Sequence, residues 1–247
     1  MTDPIATHDA RPAEGARTVL LTGVGRAGQV GEAVAQALAA RGARLALVDL
    51  AADEVIARAD ALRAQGHDAH PFACDLTDPA QVDATIARVH AAVGDVDALV
   101  CAAGGWAGTG PLDASDPAAW HRQLAINLTT AYLATRAALP MLRRTRGAIV
   151  YFASAAVLPG GTGAGMAAYA AAKSGVLALM RAVAAEEAAA GVRANAVAPT
   201  SVRTAANLAA MGEQPGYVAR EEVAATVAWL CGVEARAITG QAIRLGN

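Results

Sequence analysis

Short, nearly continuous apolar runs alternate along the chain with longer stretches whose apolar residues recur every three to four positions. The runs predict strands at Arg17–Thr22, Arg44–Asp49, His70–Cys74, Asp97–Cys101, Gly147–Phe152, Val192–Val197 and Gln241–Leu245. The periodic stretches predict helices at Gln29–Arg41, Ala51–Gln65, Pro79–Val93, Asp116–Leu139, Met166–Ala190 and Glu221–Cys231, with Pro140 stopping the fourth. The strands are apolar throughout rather than alternating, as a sheet buried on both faces requires. Strands that alternate with helices predict an α/β fold: one doubly wound parallel sheet of about seven strands, with helices on both faces. No linker divides residues 17–247, so one domain is expected there. Residues 1–16, polar and interrupted by Pro4, Pro12 and Gly15, read as a loose tail.

Composition narrows the function classes. The 247 residues carry a net charge of −2 with no basic block, which argues against nucleic acid as a partner. No apolar run approaches the roughly 18 residues needed to cross a membrane. The N-terminal stretch has no apolar signal core. Three cysteines, Cys74, Cys101 and Cys231, with no C-x-x-C, fit a reducing cytoplasm and neither a disulfide framework nor a zinc site. His8, His67, His70, His90 and His121 do not cluster at ligand spacing, so no metal is expected. Alanine exceeds a quarter of the chain, and Lys173 is its only lysine among 20 basic residues. A bias toward Ala and Arg codons explains the arginines, but not the lysine that survives at 173.

Two motifs carry chemistry. After the first strand comes Gly23-Val24-Gly25-Arg26-Ala27-Gly28, followed by Gly31. A G-x-G-x-x-G between a strand and a helix lets backbone N–H groups approach a pyrophosphate at the helix N-terminus. Asp49 ends the second strand. A carboxylate there accepts both hydroxyls of an adenosine ribose and repels a 2′-phosphate, which favours NAD(H) over NADP(H). Arg26 pulls the other way. The second motif is Tyr169-x-x-x-Lys173, whose i,i+4 spacing puts both side chains on one helix face. A phenol titrates near pH 10, and a neighbouring ammonium favours its ionised form, so the pair reads as a general acid/base.

With these residues in order, the chain resembles the short-chain dehydrogenase/reductase family in its compact, non-extended branch. The likeness runs from about Arg17 to Asn247. It is carried by the glycine loop, Asp75-Leu76 after the third strand, and Cys101-Ala102-Ala103-Gly104 after the fourth. Further matches are Asn127 in A-I-N-L, Ser154, Tyr169-x-x-x-Lys173, Ala194-Asn195-Ala196-Val197-Ala198-Pro199, and Ile238-Thr239-Gly240. The resemblance implies a Rossmann-type fold and hydride transfer between a nicotinamide and a secondary alcohol or ketone. It implies that Tyr169 moves the proton and that Lys173 holds the nicotinamide ribose and lowers the tyrosine pKa. Ser154 would bind the substrate oxygen, and Asn127 a water leading to Lys173. Gly23, Gly25, Gly28, Gly31, Asp49, Asp75, Leu76, Ala103, Gly104, Pro199, Val202 and Thr204 would join Tyr169 and Lys173 around the dinucleotide. Trp106, Met166 and Thr200 would line the substrate pocket. It also implies a dimer or tetramer, built on the Asp116–Leu139 and Met166–Ala190 helices.

The chain departs from the family pattern at several places. The glycine loop is about two residues longer than usual, and the stretch between Thr204 and Glu221, where the family has its substrate lid, is shorter. Ser154 and Tyr169 stand further apart than usual, with Pro159–Gly165 between them. Cys101 and Ala102 replace two asparagines whose side-chain hydrogen bonds steady the central strand, and Thr200 replaces a glycine. Two readings follow. One is an active oxidoreductase acting on a 3-oxoacyl thioester, a polyol or sugar, or a hydrophobic ring alcohol. The other is a cofactor-binding structural or regulatory subunit whose catalysis has faded. The complete Asn127, Ser154, Tyr169 and Lys173 set favours the first.

Overall fold

The computed structural model describes residues 17–246. The tail expected over residues 1–16 lies outside them. Seven parallel strands form one sheet: β1 (Thr18–Thr22), β2 (Arg44–Asp49), β3 (Ala69–Ala73), β4 (Ala98–Cys101), β5 (Ala148–Phe152), β6 (Arg193–Pro199) and, numbered last in the chain, β9 (Ala242–Leu245). Their order across the sheet is β3-β2-β1-β4-β5-β6-β9, which reverses direction between β1 and β4. In such sheets ligands bind beyond the carboxyl ends of the strands, at that reversal. Two further strands, β7 (Val202–Arg203) and β8 (Val218–Ala219), pair with each other outside the main sheet.

The continuous apolar strands are explained by burial on both faces. Along β1, Val19 and Leu21 enter one core while Leu20 enters the other, and all three are at most 1% exposed. The first core lies under α1 (Val30–Ala40), α2 (Ala52–Arg63) and α8 (Arg220–Cys231). The second lies under α3 (Pro79–Val93), α5 (Thr130–Thr145) and α6 (Ala167–Glu186). Asp78 caps α3 by accepting from the Ala80 and Gln81 amides, with Pro79 in the first turn. Asp116 does the same for α4 (Pro117–Leu124). In both, aspartate before proline supplies the cap and proline fits the first turn, where its missing N–H costs nothing. Among the described residues no helix is long and apolar enough to cross a membrane.

The helix expected over Asp116–Leu139 differs most from its prediction. It is α4, a wide π-helical turn over Ala125–Thr129, and α5, which runs through Pro140 to Thr145. Proline in a helix interior costs about 3 kcal/mol. The residues beyond it offset that cost. Met141 and Leu142 are buried, Arg143 forms a two-pronged ion pair with Glu187, and Arg144 another with Asp95. The helix ends at Arg146, in left-handed conformation (φ 51°). The helix expected over Met166–Ala190 stops at Glu186, where Glu187 turns toward Arg143. A short helix over Ala205–Met211 (α7) was not predicted.

Cys101 does not leave the central strand unsupported. Its Sγ lies 4.0 Å from Thr135 Oγ1, which is 2.8 Å from Tyr151 Oη, so one small network ties β4, α5 and β5. Tyr151 is fully buried and its hydroxyl needs that partner. Thr135→Val should therefore destabilise the fold by about 1–3 kcal/mol, the cost of an unsatisfied buried hydroxyl. Urea unfolding measures it, and a change below about 0.5 kcal/mol would mean that Tyr151 finds another partner.

Candidate active site

The carboxyl ends of the strands gather almost every residue singled out in the sequence. At the end of β1, Gly23 is in left-handed conformation (φ 78°), and a Cβ on it would lie 2.4 Å from the Ala103 amide nitrogen. A Cβ on Gly31 would lie 2.1 Å from the Gly23 carbonyl oxygen. These two glycines let α1 land directly on β1 and let the β1 and β4 ends touch. Gly25 and Gly28 serve other neighbours. The Gly25 amide donates to Asp49 Oδ2 at 2.7 Å, in space a Cβ would fill. Gly28 (φ 75°) faces Ala205, whose amide donates to the Gly28 carbonyl at 3.0 Å. Arg26 is exposed.

At the end of β3, Asp75 accepts from the amide and hydroxyl of Thr77, which shapes the turn, and Leu76 beside it is buried. At the end of β4, Gly104 has a φ of 147° and approaches the Asn127 carboxamide so closely that a Cβ would lie 2.5 Å from Oδ1. Asn127 sits in the π-helical turn and is 1% exposed. Its Oδ1 accepts from the Gly105 amide at 3.1 Å. Its Nδ2 donates to the Gly105 carbonyl at 3.0 Å and to both oxygens of Gln123 at 3.1 Å. The carboxamide therefore pins the loop after β4.

Ser154 follows β5, buried, and its Oγ accepts from the Ala156 amide at 3.3 Å. Tyr169 and Lys173 stand one turn apart on α6, which packs Gly175 against Leu128 of the π-helical turn. Lys173 Nζ lies 5.6 Å from the centre of the Tyr169 ring and donates to the Phe152 carbonyl at 2.8 Å. One of its three N–H donors is used there, and the other two are free among the described residues. The ammonium is 5% exposed, and burial pulls its pKa down to about 8. Burial likewise pushes the Tyr169 phenol above its ordinary value, and the nearby Ser154 hydroxyl holds back part of the rise. Desolvation is the largest influence on this phenol. Cys101, whose thiol burial pushes up to about 12, is neutral beside this pair.

Beyond β6, Pro199 ends the strand, and the Thr200 amide donates to the Leu245 carbonyl at 2.9 Å. The Thr200 hydroxyl is buried without a partner among the described residues. Val202 is buried in the short β7–β8 pair, and Thr204 caps α7 by accepting from the Asn207 amide. Trp106, 55% exposed, and half-buried Met166 stand on two loops joined by the Thr109 amide, which donates to the Gly165 carbonyl at 3.0 Å. Among the described residues no group of three His, Cys, Asp or Glu is placed to hold a metal ion.

The residues fit a dinucleotide. The cradle at Gly23 and Gly31 cannot hold side chains, an eleven-residue helix opens on it, a carboxylate ends β2, and a buried ammonium has two free donors. Sequence reasoning missed Gln123, Phe152 and Glu32. Gln123 sits four residues before Asn127, a helical spacing that pairs them. Phe152 acts through its carbonyl, which no residue type announces. Glu32 accepts from the Gly28 amide at 2.7 Å and pairs with residues far away in sequence.

Comparison with known proteins gives the same picture. A family model described as short chain dehydrogenase matches residues 17–214. Cis-4-hydroxycyclohexanecarboxylate dehydrogenase of Sinomonas cyclohexanicum is 40% identical over 238 residues, covering 91% of this chain and 92% of that one. The structure of an NAD+-bound xylitol dehydrogenase superposes with a TM-score of 0.84 at 26% identity, covering 93% of this chain and 97% of the other. A blue fluorescent protein from a metagenomic library, solved with NADPH, superposes with a TM-score of 0.84 at 30% identity, covering 93% and 96%.

The buried ammonium has a measurable consequence. Its folded pKa of about 8 lies below the value of about 10.4 for an unfolded lysine. Between those values the unfolded chain binds the extra proton, so this group's contribution to stability rises with pH across that window and is flat below it. The stability of the wild type relative to Lys173→Met should follow that course in urea unfolding at a series of pH values. A difference that ignores pH would show that the ammonium is not desolvated.

Proposed function

The chain belongs to the short-chain dehydrogenase/reductase family, oxidoreductases of CH–OH and C=O groups, and from that premise we propose an NAD-dependent enzyme that interconverts a secondary alcohol and its ketone. One observation carries the reading: Ser154 from the end of β5 and Tyr169 and Lys173 from one face of α6 meet at the same edge of the sheet as the glycine cradle. When bound, the nicotinamide accepts or supplies the hydride.

The protein's part is proton transfer and placement. Tyr169, whose phenol burial favours in the protonated form, donates its proton to a carbonyl oxygen in reduction and is left as phenolate; in oxidation it first gives its proton to solvent, and the phenolate then takes the proton of the substrate hydroxyl. Ser154, near that phenol, places the substrate oxygen within reach of it. The two free donors of Lys173 would hold the ribose of a bound nicotinamide nucleotide. The Phe152 carbonyl fixes the ammonium's direction. A compact ammonium fits between a ribose and a phenol, where the wide, planar guanidinium of arginine does not. Asn127 is a positioning residue on this reading, since it holds the Gly104–Gly105 turn against the cradle.

Asp49, turned toward the Gly25 amide, supports NAD over NADP. Exposed Trp106 and Leu112, both on the chain between β4 and α4, support a bulky apolar substrate such as a ring alcohol. The ring alcohol in the name of the Sinomonas relative agrees with that choice. Exposed Tyr132 on α5 supports assembly of copies across that helix.

Tyr169→Phe should lower turnover of NADH with a panel of cyclic ketones by about 10²–10⁴-fold, the usual share of general acid/base catalysis, while NADH still binds. Unchanged turnover would remove Tyr169 from the mechanism. The wild type should bind NAD at least about tenfold more tightly than NADP, a difference of about 1.4 kcal/mol, and Asp49→Ala should erase that margin. Calorimetry measures both, and an NADP preference in the wild type would assign the choice to Arg26.

A further inference from the structure

The two places where the chain departs most in length, the long glycine loop and the short segment between Thr204 and Glu221, touch each other. The Gly28 carbonyl accepts from the amide of Ala205, where the segment begins. The Gly28 amide donates to Glu32 Oε2 at 2.7 Å. That same carboxylate oxygen lies 3.0 Å from Nη1 of Arg220, where the segment ends. The other oxygen is held by Arg58. The Ala205–Ala219 segment is thus fastened at its start to Gly28 in the loop and, through Arg220 just beyond its end, to Glu32 in the first turn of α1.

We infer that Glu32 is a positioning residue that couples occupancy of the glycine loop to the order of the Ala205–Ala219 segment over the substrate. The inference rests on the reading that this loop holds the dinucleotide. Glu32 is suited to the part. Its side chain is 13% exposed, and a carboxylate so far out of water is held only by paired partners, here Arg58, Arg220 and a backbone amide. A short backbone unit with two fixed hydrogen bonds cannot shift on one side without pulling the other. The middle of the segment is held only at the surface: Arg203 pairs with Glu213, both more than half exposed, Tyr217 donates to the Asn207 and Gly212 carbonyls, Met211 is 40% exposed, and no residue of α7 is buried. A ligand that fixes Gly28 therefore fixes Ala205 directly and Arg220 through Glu32. Coupling of this kind is reciprocal, so substrate held under the segment tightens the dinucleotide by the same factor.

Hydrogen–deuterium exchange tests this, with NADH as the probe. In the wild type, NADH should slow exchange of the loop peptide 23–31 and also slow segment 205–219 about tenfold, a coupling of ordinary size. Arg220→Gln should still bind NADH and protect 23–31, but lose most of the protection over 205–219 and raise the substrate KM more than it lowers kcat. Arg220→Lys, which keeps the charge, should restore both. Ala205→Pro provides a variant that does not disturb the ion pairs. It removes only the N–H that reaches Gly28, at a first-turn helix position that tolerates proline, after a residue already extended (Thr204, φ −112°, ψ 160°). It should halve the response of 205–219 or more. Full protection of 205–219 in both Arg220→Gln and Ala205→Pro would overturn the coupling while leaving the dinucleotide reading intact. No protection of 23–31 in the wild type would overturn both.

Discussion

Helix α1 reaches the end of β1 only because two residues there lack side chains. A methyl group on Gly31 would sit inside the Gly23 carbonyl, and one on Gly23 would sit inside the backbone of Ala103. This close approach joins three things at one point: the α1 N-terminus, the reversal of strand order between β1 and β4, and the loop after β4. Every other part of the site is placed relative to it. Asp49 meets the loop from β2, Asn127 holds the far side of the β4 turn, and Ala205 closes on Gly28 from beyond β6.

Around that point the electrostatics are those of a buried place. Lys173 and Tyr169 are each pushed toward the neutral form by desolvation, the ammonium to about 8 and the phenol upward. Proximity alone leads one to expect the ammonium to draw the phenol down. Loss of water acts on both groups at once and is the larger effect here. The Phe152 carbonyl and the Ser154 hydroxyl then decide where each points. The pair is arranged with donors unspent, which suits a site that a ligand completes.

Much of the fold was legible because burial on two faces leaves a plain mark: apolar strands and periodic helices. The misreadings have a common cause, which is tertiary contact outweighing a local rule. Pro140 is a sound stop signal, yet the burial of Met141 and Leu142 and the ion pairs of Arg143 and Arg144 carry the helix past it. Asn127 is not a misreading: its motif marks it, and the structure adds the carboxamide's hydrogen bonds to Gln123 and the Gly105 backbone. No pattern shows that the turn around it widens. Cys101 read as a loss of support, yet Thr135 and Tyr151 supply a replacement from two other elements.

By itself the sequence determined the doubly wound sheet, the glycine cradle and the placing of Tyr169 and Lys173 on one helix face. These depend on periodicity, on residues without side chains and on a four-residue helical spacing, all of which are local. The tertiary structure decided what those residues experience. It set the direction of two pKa shifts, committed the Asn127 carboxamide to a turn, and tied Glu32 to Arg220 across 188 positions of chain. Desolvation and ion pairing depend on what surrounds a group in three dimensions, and that is not written in its neighbours along the chain.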